Sequence, residues 1–113
     1  MSSSTFEAGD VVIADFQFSD SGEVKRRPVL FLAQREGLMD VAALKITSIN
    51  RQSKFDVILE PSDLSGGHLK KTSYIVADFI STIGSGLVSR KVGRISPAKL
   101  AEVRKKVRVF LGL

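Results

Sequence analysis

Lys25-Arg26-Arg27-Pro28 leads into the apolar run Val29-Leu30-Phe31-Leu32. Three consecutive cations at the mouth of a buried strand could hold a phosphate. A guanidinium is a poor proton donor because its pKa stays above about 12, but its planar fork matches two phosphate oxygens and stabilises charge gained in a phosphoryl-transfer transition state. Hydroxyls are the second resource: Thr47 and Ser48 follow the apolar stretch Val41 to Ile46. An RNA phosphodiester carries its own nucleophile, the 2′-hydroxyl. Arginine with Thr or Ser could therefore cleave RNA by orienting that hydroxyl and stabilising the oxyanion, with no protein nucleophile. The plainer alternatives are a solvated strand entrance for Arg26 and Arg27, and a β-former at a strand end for Thr47.

Other chemistries find little support. The chain has no cysteine, so it offers no disulfide, thiolate nucleophile or cysteine-ligated zinc. His68 is the only histidine and sits in a loop between Gly66-Gly67 and Lys70-Lys71, which rules out a two-histidine acid/base pair within one chain. The acids, among them Asp10, Asp15, Asp40, Asp56, Glu60, Asp63 and Asp78, lack calcium-loop or zinc-protease spacing. No nucleotide-binding glycine motif is present, and Gly84-Ser85-Gly86 reads as a turn. The expectation is a protein without metal or cofactor.

With 113 residues and 43% hydrophobic content, the chain supports one core, hence a single domain over 1–113 with residues 1–6 flexible. No stretch is apolar enough to span a membrane and Met1-Ser2-Ser3-Ser4-Thr5 is unlike a secretory signal, so a cytoplasmic location is expected. The net charge of +5 is uneven: residues 85–113 hold eight Lys/Arg against Glu102 alone, whereas residues 1–84 hold nine against eleven acids. Such clustering suits a nucleic acid or an acidic partner, and equally a solvated helix face.

Short strands must position these groups. Val11–Phe18, Pro28–Ala33, Val41–Ile46, Phe55–Leu59, Ser73–Ile80 and a short Lys91–Ile95 carry β-branched or aromatic residues separated by turn chemistry. Pro28 lacks an N–H and suits the first position of a strand or an edge, so Lys25 to Arg27 are expected at the strand entrance. Lys45 and Thr47 share a face of the third strand. Strands joined by turns argue for a small barrel or a strongly coiled antiparallel sheet. The period then changes: Ser96 as N-cap, Pro97 at the first helical position and a stripe of Leu100, Val103, Val107, Phe110 and Leu111 predict an amphipathic helix capped by Gly112.

Taken in order, Gly9-Asp10-Val11-Val12, Arg27-Pro28-Val29-Leu30, Ile46-Thr47-Ser48, Ile80-Ser81-Thr82-Ile83 and Val92-Gly93-Arg94-Ile95-Ser96-Pro97 resemble the PemK/MazF family of toxin endoribonucleases across nearly the whole chain. The resemblance implies a mainly β fold: a small SH3-like barrel of five to seven strands with a C-terminal amphipathic α-helix. It implies the toxin of a toxin–antitoxin system, acting as a homodimer that cuts single-stranded RNA at short sequence motifs. Cleavage would be metal-independent and leave 2′,3′-cyclic phosphate and 5′-hydroxyl ends. The family's arginine before proline falls on Arg27, which would stabilise transition-state charge and support any proton transfer, and its catalytic threonine falls on Thr47, which would hold the phosphate or the reacting hydroxyl. RNA contacts would come from the Ser19–Arg26 loop (Ser19, Glu23, Lys25, Arg26) and from Ser48, Asn50, Ser81 and Thr82. A cognate antitoxin with an acidic, disordered segment would block the same groove.

One departure matters. Where the family often has Ile-Arg-Thr, this chain has Ile80-Ser81-Thr82, so an expected cation is missing, and Lys25 or Arg26 is a candidate to replace it. Phe79 fits either base stacking or the core. The alternative function is a non-catalytic barrel that inhibits a protein target, as gyrase poisons do, or binds nucleic acid, in its plainest form through Arg104, Lys105 and Lys106 of the helix.

Overall fold

A computed structural model describes residues 6–16, 24–34 and 40–113, with the side chain of Phe16 left out. Six strands, β1 (Asp10–Phe16), β2 (Lys25–Gln34), β3 (Asp40–Thr47), β4 (Asp56–Leu59), β5 (Ser73–Gly84) and β6 (Val88–Arg94), precede one helix, α1 (Pro97–Leu111). They form one antiparallel sheet in the order β4-β5-β3-β2-β1-β6. The sheet is curled but not closed: beyond its ladders, a bridge pairs Ser65, in the loop after β4, with Arg94 at the end of β6. The expected barrel is therefore present in its open form.

Neighbouring residues on the central strands supply two cores, which is why these strands are apolar on both faces. Val11, Leu30, Leu44, Ile46 and Ile75 pack inside with Leu100, Val103 and Val107 of α1, whereas Val12, Val29, Phe31, Ala43 and Ile83 form a second cluster on the opposite face. Phe79 packs against that second cluster, in line with its core reading. Phe6 does too, with its ring 6.4 Å from that of Phe31. Residues 1–5 lie outside the described residues.

The helix starts and stops as its sequence requires. Ser96 Oγ accepts a hydrogen bond from Lys99 N at 3.1 Å, Pro97 occupies the first turn, and Gly112 closes the end at φ 75°. Its apolar stripe is shorter than expected: Phe110 and Leu111 are exposed, although the Phe110 ring meets Phe55 edge-on at 5.6 Å. Two helix lysines serve the sheet edge, Lys99 Nζ donating to Ile58 O at 2.8 Å and Lys106 Nζ to Lys54 O at 2.6 Å.

Three strand boundaries differ from expectation. Lys25–Arg27 are the first residues of β2 rather than its approach, because β1 extends alongside them and pairs Ala14 with Arg27, Asp15 with Arg26 and Phe16 with Lys25. β5 continues past Ile80, so Ser81 and Thr82 lie within it: the ladder with β3 jumps from Lys45–Val76 to Leu44–Ile80 and resumes, pairing Ala43 with Ser81 and Ala42 with Thr82. β6 begins at Val88, after a 3₁₀ turn at Ser85–Leu87. The last two residues of the expected first strand, Gln17 and Phe18, lie outside the described residues.

Candidate active site

Pro28 opens the cleft. The β2–β3 ladder ends at the pair Val29–Lys45, so residues 25–28 pair with β1 alone, an edge position where a missing N–H is tolerated. Just beyond the last pair, Arg27 and Thr47 both line a cleft of about 450 Å³ at this end of the sheet. Apolar walls come from Ile13, Pro28, Ile46, Ile49 and Leu69. Four lining residues, Arg27, Lys45, Lys70 and Lys71, are cationic, and no lining residue among those described is acidic. Like charges gathered against low-dielectric walls raise the local positive potential and favour an anion there.

Three devices hold the walls. Thr47 Oγ1 accepts from Ile49 N at 3.2 Å, which turns the chain out of β3 and leaves Ser48 and Ile49 on the rim. The loop beyond is pinned by Arg51, whose Nη2 lies 2.7 Å from Asp56 Oδ1 and 3.3 Å from Asp78 Oδ1. The Asp56 hydrogen bond, opposed by a smaller desolvation effect, pushes the Arg51 pKa above its ordinary value. A raised folded pKa means that this contact stabilises fully below the ordinary arginine range and is lost only as pH rises past the raised value, in strong alkali.

Lys70 and Lys71 reach the cleft because the β4–β5 loop folds back across β6. Ser65 and Arg94 exchange backbone hydrogen bonds of 2.9 Å in both directions, and Gly67 passes so close to β6 that a Cβ there would stand 1.6 Å from Val92 O. At its exit, Thr72 Oγ1 donates to Glu60 and Ser73 Oγ donates to Lys71 O.

Among the sequence-predicted residues, Arg27, Thr47 and Ser48 come together in the cleft. Arg26 and Lys25 are exposed next to it, and Arg26 is ion-paired with Asp15 at 3.5 Å. Asn50 instead builds the β3–β4 loop, its Oδ1 accepting from Gln52 N at 2.9 Å. Ser81 and Thr82 do not line the cleft: Thr82 pairs with Ala42, five residues from Thr47 along β3, or about 16 Å at strand rise. Ser19 and Glu23 lie outside the described residues. Sequence reasoning missed Lys45, Lys70 and Lys71 as site residues, although the shared face of Lys45 and Thr47 was readable from alternation. Among the described residues, no three His, Cys, Asp or Glu side chains gather as a metal-holding group, and no helix is long and apolar enough to cross a membrane.

An open, curled antiparallel sheet with a C-terminal helix and a cation-lined cleft at one end defines a small barrel-like protein. Its family is specific: the model for the PemK-like, MazF-like toxin of type II toxin–antitoxin systems matches residues 7–111, and the chain belongs to that family. A solved endoribonuclease from a mycobacterial species, in complex with its cognate antitoxin, is 25% identical over 93% of each chain, with a TM-score of 0.74. A MazE–MazF structure from Deinococcus radiodurans (23% identity, 98% and 99% of the two chains, TM-score 0.75) and the toxin MazF-mt6 of Mycobacterium tuberculosis (22%, 92% and 97%, TM-score 0.74) share the fold. No curated protein matches the chain by sequence.

Proposed function

We propose that this toxin is an endoribonuclease that cleaves single-stranded RNA without a metal ion, through Arg27 and Thr47. The observation that supports the reading is that these two residues line one cleft whose lining holds four cations. In the reaction, the 2′-hydroxyl attacks the adjacent phosphorus, the bond to the 5′-oxygen breaks, and the products end in a 2′,3′-cyclic phosphate and a 5′-hydroxyl. The proton lost by the nucleophile is balanced by the one gained at the leaving oxygen. Arg27 stabilises charge accumulating on the non-bridging oxygens, and Thr47, with its hydroxyl already oriented by Ile49 N, positions the phosphate or the attacking hydroxyl.

The endoribonuclease of the mycobacterial complex supports this assignment, and its antitoxin supports an inhibitory partner here. An acidic antitoxin segment fits the positive cleft and would exclude RNA from it. The working form is a homodimer, which a native mass at micromolar concentration checks.

Purified protein freed of antitoxin should cut single-stranded RNA in EDTA and leave cyclic-phosphate ends. Arg27→Ala should lower the rate by about 10²–10³ with an unchanged melting temperature, and Thr47→Ala by about 10-fold to 10²-fold. Undiminished cleavage by Arg27→Ala would overturn its role. Growth arrest without RNA cleavage would favour a non-catalytic inhibitor instead.

A further inference from the structure

We infer that Lys45 is a phosphate-binding residue of the cleft and supplies the cation missing at Ser81, an assignment that rests on the ribonuclease reading above. In register, Ser81 stands opposite Ala43 of β3, and Ala43, Lys45 and Thr47 share one face by strict alternation. Lys45 is therefore in the row between the one that lost its cation and the one that holds Thr47. Rows on one face are about 7 Å apart along a strand, within reach of a lysine stem. A cation at Lys45 thus serves the same end of the sheet as a long side chain at Ser81 would.

The stem is pre-positioned. On either side in the ladder stand Val29 and Val76, both buried, and the ammonium lies 5.0 Å over the ring of Phe79. Lys45 also lines the cleft beside Arg27 and Thr47. A phosphate held by Arg27 is thereby flanked by a second cation whose side-chain freedom is already restricted, and such preorganisation strengthens charge-assisted contacts. Lys25 and Arg26 do not line the cleft, and Arg26 is directed at Asp15.

The test uses a labelled single-stranded RNA methylated at every 2′-oxygen, which can bind but not react, with anisotropy read across a salt series. Lys45→Met keeps the apolar stem over Phe79 and removes the charge. It should reduce the slope of log affinity against log salt by about 0.7, the loss of one single-strand phosphate contact, and Lys45→Arg should restore it. On cleavable RNA, Lys45→Met should lower kcat/KM about tenfold or more. Lys45→Gln is measured in parallel in case the Met variant fails to fold. A wild-type slope in folded Lys45→Met or Lys45→Gln overturns the assignment, as does failure of the wild type to bind the methylated RNA. Wild-type activity on unmodified RNA judges the ribonuclease reading separately. Binding without cleavage defeats that reading alone, and the variant slopes still decide Lys45.

Discussion

At the residue scale, the carboxylates among the described residues take roles away from the cleft, whose described charged lining is cationic. Asp10 is 1% exposed and fully engaged: Oδ1 accepts from Arg94 Nη1 at 2.7 Å and lies 3.4 Å from Lys91 Nζ, while Oδ2 accepts from Glu7 N at 2.9 Å. Removing the buried carboxylate strands the Glu7 N–H, whereas Lys91 and Arg94, 45% and 37% exposed, keep water and Arg94 keeps Glu7 at 3.6 Å. Asp10→Ala should therefore destabilise the fold by about 1–3 kcal/mol, read as a lowered denaturation midpoint with an unchanged denaturant slope. Cleavage measured well below the new midpoint should stay near wild type, since Asp10 does not line the cleft. The proposed pair, Arg27 and Thr47, was legible only through the ordered family motifs, since residue type alone left a solvated strand entrance and a plain β-former open. Asn50 has a turn role that was not read from the sequence: its amide oxygen, two residues before the positive-φ position Gln52 at 57°, caps the turn.

At the element scale, the β4–β5 loop decides whether the cleft has one wall or two. It lies over β6 because Gly67 has no side chain, and Lys70 and Lys71 follow three and four residues later. Gly67→Ala should force the loop away from Val92, lowering the melting temperature by several degrees and weakening RNA binding as Lys70 and Lys71 retreat. RNA affinity equal to that of the wild type would show that the loop cations do not contribute. This return of a loop to a strand 25 residues later is a tertiary event, and Gly66-Gly67 in the sequence announced only a turn. The end of β5 was misplaced for a related reason. The expected strand followed the apolar and aromatic residues and ended with them at Ile80, whereas the ladder with β3, interrupted at residues 77–79, resumes at Ile80 and runs to Gly84. By contrast, helix α1 obeyed local capping and periodicity almost to its end.

For the whole molecule, net charge proves a poor guide to where an anion would bind. The C-terminal part carries most of the excess, yet Lys91 and Arg94 face Asp10, and Lys99 and Lys106 hold backbone carbonyls of β4 and of the residue preceding Phe55. The cleft draws its four cations from residues 1–84, where acids outnumber bases. Neutralising the helix pair Arg104 and Lys105 with Gln should therefore leave RNA affinity within about twofold. Neutralising Lys70 and Lys71 should reduce the salt slope by about 1.4, twice the single-strand contribution of one phosphate contact. The reverse ranking would move the RNA track to the helix. The contacts of Asp10 with Arg94 and of Gly9 with Ile95 also set an order on assembly. β1 gains its second ladder only from residues 88–94, so this side of the sheet waits as an unpaired edge until β6 has been synthesised. Closure of so long a loop carries an entropic cost that only the β1–β6 ladder repays, so a chain halted before β6 keeps β1 as an open edge.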